Sequence, residues 1–303
     1  MKRKVIQLAE KTSVVSLPQE WIREWKIKKG DELYVKMKGS SIIFSTQNER
    51  EKQKVTINTE KTSERVIRWW LSSLHKKGYD EIEIFYKKEQ LLLFMELTRD
   101  LLSGFAMVEQ TDKRCVLQAI SKIDEHSFDN VLRRAFMVTL TMGDTILEML
   151  EEKKIEELKP LLQLEKTNNK LTNFCERTIN KRGLTDPVKN TFYYVINWNL
   201  EKIADDYKYL IEDVIDEKKE LNKETLKLIK ETTNLLRGFY EFFYEKKQER
   251  INELDKQKKE VKEKIKEEIK KGKDILVLSR LITLVEKIAD FSASMIAIHT
   301  EEN

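Results

Sequence analysis

Two short acidic runs, each one helical turn long, are the first residues in this chain whose types could do chemistry. Glu201-Lys202-Ile203-Ala204-Asp205 and Glu286-Lys287-Ile288-Ala289-Asp290 repeat one pentapeptide at an offset of 85 positions. In a helix, residues i and i+4 share a face, so each run sets two carboxylates about one turn apart. Like charges so placed destabilise an isolated helix by roughly 0.2–0.5 kcal/mol, and a bound cation or a facing lysine relieves them. Glu201, Asp205, Glu286 and Asp290 are therefore candidate ligands for weak divalent-cation binding. Acidic residues are so frequent here that one Glu-x-x-x-Asp carries little; the signal is its duplication. Ile203 and Ala204 also fit a plainer reading, in which helix packing alone demands the repeat.

The second chemistry is electrostatic. Residues 1–50 hold eleven Lys/Arg against six Asp/Glu, a net of +5, whereas the whole chain is only +4. All the excess positive charge thus lies in the first sixth of the sequence, and a polyanion should bind there. The candidate DNA-contacting residues are Lys2, Arg3, Lys4, Lys11, Thr12 and Ser13. Other chemistries are poorly served. Cys115 and Cys175 lie far apart and form no metal-ligand spacing with His75, His126 and His299. The chain also shows no phosphate-cradling glycine loop and no nucleophile–base pair, so the expectation is a non-enzyme.

The elements that must carry these residues follow from composition and pattern. Eight glycines and three prolines in 303 residues argue for long helices and against a barrel or sandwich. The first 46 residues differ: strands are expected at Val5–Leu8, Ser13–Leu17, Glu32–Lys38 and Ser41–Ser45, with a short helix at Glu20–Trp25 and a tight turn at Gly39-Ser40. So short a unit buries little surface alone, so it is expected to dimerise, with Val5, Val14, Val15, Leu33, Val35 and Ile43 among its buried residues. Residues 54–120 read as an α/β segment: strands at Val55–Ile57 and Glu81–Phe85, helices to Lys77 and over Lys88–Leu102, and a hairpin formed by Phe105–Glu109 and Arg114–Ile120. From Asp124 the chain reads as helices over roughly 128–153, 156–181, 186–217, 223–247, 248–271 and 274–300. The repeated pentapeptide, with a second matching pair at Leu147–Lys154 and Tyr240–Lys247, divides these into two tandem three-helix repeats. The fold class is mainly α and multidomain: 1–48, a β-rich unit; 52–122, an α/β bridge; 124–218 and 219–303, the two helical repeats.

The helical half, roughly Asp124 to Glu301, resembles the PhoU family of phosphate-uptake regulators, whose two three-helix bundles end in a Glu-Arg-Ile-Ala-Asp-like motif. The first 46 residues resemble the AbrB/SpoVT/MazE swapped-hairpin DNA-binding domain, through Ser16-Leu17-Pro18-Gln19-Glu20-Trp21 and Trp25-Lys26-Ile27-Lys28-Lys29-Gly30-Asp31-Glu32-Leu33. Their coupling in one chain looks like the archaeal type of PhoU-like regulator. That resemblance implies a DNA-binding, dimeric transcriptional regulator of phosphate uptake whose helical half senses a signal or docks a partner. The alternative is an adaptor that binds a phosphate-transporter ATPase or a sensor protein and uses the N-terminal unit only for dimerisation. Duplex DNA, a second copy of the chain and such a transporter or sensor are the implied partners. Metal-holding members of the family pair the Glu-x-x-x-Asp helix with an Asp-x-x-Ile-Asp motif. At those acidic places this chain has Asn168 with Thr172, and Gln248 with Asn252. Hard cations favour anionic oxygens, so no cofactor is expected beyond a weakly held divalent metal. A cytoplasmic location without membrane insertion is expected, because no apolar run approaches the ~18–20 residues needed to cross a bilayer.

Overall fold

In the structure of the protein, a computed structural model, residues 2–8, 11–38, 41–46, 52–121, 127–184, 186–245 and 250–300 are described. The chain divides into two compact units, Met1–Lys52 and Gln53–Asn303. It is mainly helical, with a small N-terminal β region. The expected turn at Gly39-Ser40, residue Gln248 and the boundary between the helices expected at 223–247 and 248–271 lie outside the described residues.

The first unit is built from two short hairpins. Strand β1 (Ile6–Leu8) pairs antiparallel with β2 (Thr12–Val14), and β3 (Tyr34–Lys38) with β4 (Ser41–Ser45). Between the hairpins lies α1 (Gln19–Glu24), with Pro18 in extended backbone just outside its first turn. The second strand is shorter than expected and starts one residue earlier, because the register opposite β1 ends at Val14. Lys28-Lys29-Gly30-Asp31 closes as a turn: the Asp31 carboxylate accepts from the Lys28 N–H at 2.7 Å, and Gly30 takes φ +97°, a conformation costly for any other residue. Among the side chains described in this unit, none is buried within the single chain. Of the residues expected in a core, Val5, Val15, Val35 and Ile43 are exposed, and Val14 and Leu33 are half-buried.

The second unit has two apolar cores. In the first, β5 (Lys54–Asn58), β6 (Glu81–Phe85), β7 (Phe105–Gln110) and β8 (Arg114–Ala119) form one sheet in the order β5-β6-β8-β7. β5 and β6 are parallel and joined by the crossover helix α2 (Glu64–Lys77), while the other pairs are antiparallel. Ile57, Ile82, Ile84, Cys115 and Leu117 pack with Ile67 and Leu71 of α2 and with Leu93, Phe94 and Leu97 of α3 (Leu91–Asp100). Polar pairs stud the sheet as well: Arg114 reaches Glu83 and Glu109, and Thr56 donates to Glu83. The helix expected over Lys88–Leu102 opens as a 3₁₀ turn at Lys88–Gln90 and ends at Asp100.

The second core belongs to the helices α4 (Phe128–Glu151), α5 (Leu162–Arg182), α6 (Asn190–Glu217), α7 (Lys223–Glu245), α8 (Arg250–Lys270), α9 (Ile275–Ala289) and α10 (Phe291–His299). α4, α5 and α6 pack on one another, as do α7, α8 and α9; α4–α7 and α6–α9 contacts join the two sets. Two expected helices begin as 3₁₀ turns, Ile155–Leu161 and Pro187–Lys189, each containing a proline that cannot donate to the helical ladder. The expected last helix is two, divided at Asp290, where the Ser292 hydroxyl donates to the Ala289 carbonyl. α4 meets α6 and α7 at Gly143, where a Cβ would stand 2.5 Å from Thr233 Oγ1 and 2.7 Å from Tyr207 Oη. Those two hydroxyls hydrogen-bond each other at 3.1 Å, so only a glycine leaves room for the pair.

The α/β segment and the helices are locked together at the C-terminal end of α2. Gly78 ends that helix with φ +104°, and the carbonyls left without intrahelical partners are taken by side chains of α5. Arg177, 2% exposed, donates to the His75 and Tyr79 carbonyls at 2.9 and 2.7 Å and to Asp80 Oδ1 at 3.0 Å. Lys181 donates to the Gly78 carbonyl and to Asp80, and Asn180 to the Lys76 carbonyl. The Arg177 guanidinium also lies 5.0 Å from the Phe105 ring centre. Replacing Arg177 with Met should cost about 3–5 kcal/mol, because it leaves the partly buried Asp80 and two carbonyls without their strongest donor. Urea unfolding of the variant measures that loss, and Arg177→Lys should recover only part of it, since a single ammonium nitrogen cannot match the planar two-nitrogen fork that reaches all three acceptors.

His75 sits beneath this junction. Its Nε2 donates to the Ser103 carbonyl at 3.0 Å, which places the ring proton on Nε2 and leaves Nδ1 buried and unpartnered. Burial, followed by the charges of Arg177 and Lys76, pushes its pKa from 6.5 down to about 3; the Ser103 bond acts the other way. The unfolded chain therefore takes up a proton at this ring below pH ~6.5 that the folded chain refuses until about pH 3. Stability contributed by a neutral His75 is complete above pH 6.5 and is lost as pH falls through that window, at up to ~1.4 kcal/mol per pH unit. His75→Gln keeps a donor for Ser103 and does not titrate. Between pH 6 and pH 4 the wild type should lose stability faster than the variant, as followed by urea unfolding at each pH.

Candidate functional site

Glu201 and Asp205 lie on α6 facing α5 and the end of α2, and they do not face each other across an open cation site. Lys76 Nζ of α2 lies 3.0 Å from Glu201 Oε2 and 3.1 Å from Glu176 Oε2 of α5. Lys202 Nζ bridges Glu201 and Asp205 at 3.2 and 3.1 Å. Lys208 Nζ bridges Asp205 and Glu165 of α5 at 3.0 and 2.8 Å. The result is a chain of alternating sign, Glu176–Lys76–Glu201–Lys202–Asp205–Lys208–Glu165, with three ammonium groups between four carboxylates. Helical spacing makes it possible: Glu201, Asp205 and Lys208 recur along one side of α6, and α5 runs beside it with Glu165 and Glu176 three turns apart.

The charge states follow from burial set against pairing. Burial alone would raise Asp205, but Lys208 and Lys202 outweigh it and hold the carboxyl below its usual range. Burial raises Glu165 and Glu176, and Lys208 and Lys76 only partly oppose it. Lys76, Lys202 and Lys208 are penalised by burial yet end up raised, because each touches two carboxylates. The two acids of the chain on α5, Glu165 and Glu176, are thus held above the usual carboxylate range, while Asp205 on α6 is held below it.

The second copy of the pentapeptide has different surroundings. Glu286 is half exposed and pairs with Lys262 of α8 at 2.6 Å, which holds its carboxyl low. Lys287 crosses to α6 and meets buried Asp206 at 2.7 Å, whereas its counterpart Lys202 bridges the acids of its own motif. Asp290 stands at the division between α9 and α10. The third helices of the two repeats are neighbours, α6 against α9, but the two acid pairs are not equivalent.

Two of the residues at the places where the resemblance implies carboxylates, Asn168 and Thr172, are buried and bonded within the helices. Asn168 is fully buried and donates to Thr139 Oγ1 at 2.8 Å and to the Ala135 carbonyl of α4. Thr172 donates to the Asn168 carbonyl, and Asn197 of α6 donates to the Thr172 carbonyl. Asn252 lies exposed on α8. Among the described residues, no three His, Cys, Asp or Glu side chains converge on a point where a metal ion would fit. A multinuclear centre does not fit this set: its carboxylates are spaced by lysines and its remaining donors are amides and hydroxyls. Cys115 and Cys175 are free and buried in different cores.

The described basic side chains of the N-terminal unit, Lys2, Arg3, Lys4 and Lys11 among them, are exposed. Pairing of Leu8 with Thr12 and of Ile6 with Val14 puts Lys11, Thr12 and Ser13 at the turn end of the first hairpin. Lys2, Arg3 and Lys4 precede β1 and so enter at the opposite end. One hairpin thus carries two separate positive groups on the same ribbon.

Lys76, Glu165, Glu176, Asp206, Lys208, His75 and Arg177 all escape a reading of the sequence. Only Lys208 had a local signal, since Asp205-x-x-Lys208 is a helical ion-pair spacing. The rest depend on α2 docking on α5, which no local pattern encodes.

The charge chain generates an expectation for metal content. After dialysis against chelator, elemental analysis should find less than one firmly held iron, manganese or zinc per chain. More than one would mean that a cation displaces Lys202 and Lys208 from these carboxylates.

No family model, curated protein or solved structure matches the chain.

Proposed function

We propose that the protein is a dimeric, DNA-binding transcriptional regulator in which residues 1–46 supply both the dimer contact and the DNA contact. The observation that carries this reading is the N-terminal unit itself, which has excess positive charge and, among its described side chains, exposed basic groups and none buried in the single chain. Val5, Ile6, Leu8, Val35, Met37, Ile42, Ile43 and Phe44 are exposed there, although β-branched and aromatic residues on a pleated ribbon favour burial. A second copy of the same ribbon supplies an apolar surface of matching kind, and two copies double the positive charge presented to one duplex. The Lys28–Asp31 turn, with Gly30 left-handed and Asp31 capping it, fits the Lys-Lys-Gly-Asp segment on which the AbrB-like resemblance rests.

In the same proposal, α4–α6 and α7–α9 are tandem three-helix repeats of PhoU-like type that sense a signal or dock a partner, and phosphate uptake is the regulated quantity. Among the described residues no helix is long and apolar enough to cross a membrane. A cytoplasmic site of action is part of the proposal.

Arg3→Ala with Lys11→Ala should weaken binding to all duplexes alike. It should also reduce the slope of log K against log salt by about 1.8, one phosphate contact for each residue. Fluorescence anisotropy over a salt series measures this. An unchanged slope would remove both residues from the interface. Deleting residues 1–46 should abolish binding and turn a dimer into a monomer in sedimentation. A truncated chain that stays dimeric, or an intact dimer without DNA affinity that co-purifies with a transporter ATPase or a sensor, would favour the adaptor reading.

A further inference from the structure

A cleft of about 490 Å³ opens between the end of α3, the exposed side of α4 and the first half of α5. Four of its nine lining residues are cationic, Arg99, Arg134, Lys166 and Lys170, against one carboxylate, Asp100. Three elements distant in sequence bring these charges together. On α5, Gln163, Lys166, Thr167 and Lys170 recur at helical spacing along one side. The junction that docks α2 and α3 on α5 then sets Arg99 and Ser103 opposite them.

The cations are only partly spent inside the protein. Asp100 is shared by Arg99, at 2.6 and 3.1 Å, and by Lys166 at 3.4 Å. Lys166 also lies 4.0 Å from Glu96, whose own closer partner is Arg68 at 3.0 Å. Lys170 uses one proton on the Arg99 carbonyl at 2.8 Å, and Asn173 takes the Leu101 carbonyl, so two carbonyls at the end of α3 have side-chain donors. Arg134 is exposed and has no hydrogen-bond or ion-pair partner among the described residues. The lining therefore keeps a net charge of +3, with Ser103 and Gln163 as neutral donors, while the Thr167 hydroxyl donates to the Gln163 carbonyl.

The shape and lining select the kind of anion. The volume falls in the range of small-molecule sites, and a single phosphate would fill only a fraction of it. Leu171 is the only apolar lining residue, and no aromatic ring is present on which a nucleobase could stack. We propose that this cleft binds a short chain of phosphoryl groups, an inorganic oligophosphate, through Arg134, Lys166, Arg99 and Lys170. This stands apart from the DNA reading, because the residues belong to the second compact unit and none lies in 1–46.

Isothermal titration of the full-length protein with tripolyphosphate tests it. Binding to one site per chain is expected, and Arg134→Ala with Lys166→Ala should weaken it at least about tenfold, through loss of two charge-assisted contacts. Neither side chain is buried, so the variant should unfold at the wild-type temperature. Arg134→Glu alone repeats the test by charge reversal. A second variant with Lys2, Arg3, Lys4 and Lys11 all replaced by Ala should bind tripolyphosphate as the wild type does. No binding, or binding lost in the N-terminal variant and kept in the cleft variant, would overturn the proposal. Equal affinity for orthophosphate, or tighter binding of ATP than of tripolyphosphate, would overturn the assignment to a phosphoryl chain.

Discussion

One buried guanidinium holds the second unit together. Arg177 spans the end of α2, and its donors reach the His75 carbonyl, which otherwise has the Gly78 N–H, and the Tyr79 carbonyl just past the helix. A helix end inside a protein is stable only if such groups are satisfied, and here the donors come from another element a hundred residues away. That contact sets α2 alongside α5, and everything else of chemical interest follows from the placement. Lys76 comes within reach of Glu176 and Glu201. His75 is enclosed and kept neutral. Arg99 is carried to the face of α5 that holds Lys166 and Lys170. The cost is also local: burial works against the charge on Arg177 and lowers its pKa, and Asp80 only partly offsets it.

The same economy governs the acidic repeat. Two carboxylates on one helical face repel, and a protein can relieve them with a cation from solution or with its own lysines. In the first copy Lys202 lies within the motif and Lys208 one turn beyond it, so the sequence supplies its own counterions and the α/β segment adds Lys76. In the second copy the relief comes from Lys262, on a more exposed surface where such a pair is worth little. The two copies are thus alike in sequence and unlike in environment. Contact with the α/β segment distinguishes them, because only the first repeat has α2 docked against its second helix.

The helices were legible because few glycines or prolines interrupt them, and the strands because β-branched residues cluster between turn signals. The departures have local causes: Pro160 and Pro187 turn the starts of two helices into 3₁₀ turns, and the Ser292 hydroxyl competes for the Ala289 carbonyl and divides the last helix. The pentapeptide repeat was legible as a pattern, and so was the prospect that lysines would answer its charge. Which lysines do so was not, because Lys76 and Glu176 are 100 positions apart and meet only through Arg177. The basic cleft was invisible for the same reason. Arg99, Arg134 and Lys166 are unremarkable among the chain's 57 Lys and Arg residues until three helices converge.

The two units differ in what their stability can depend on. Residues 53–303 bury two apolar cores and many paired polar groups, so their fold rests on contacts within one chain. The described side chains of residues 1–52 are not buried in one chain, and the two hairpins there are too short to stand alone. If a second copy completes them, their folding is coupled to association, and the order of that unit depends on protein concentration by mass action. A duplex that engages both ribbons at once would add its binding energy to the same equilibrium. DNA would then stabilise the dimer to the extent that the dimer presents the basic ends of each hairpin, and the salt that weakens phosphate contacts would loosen the dimer on DNA with them.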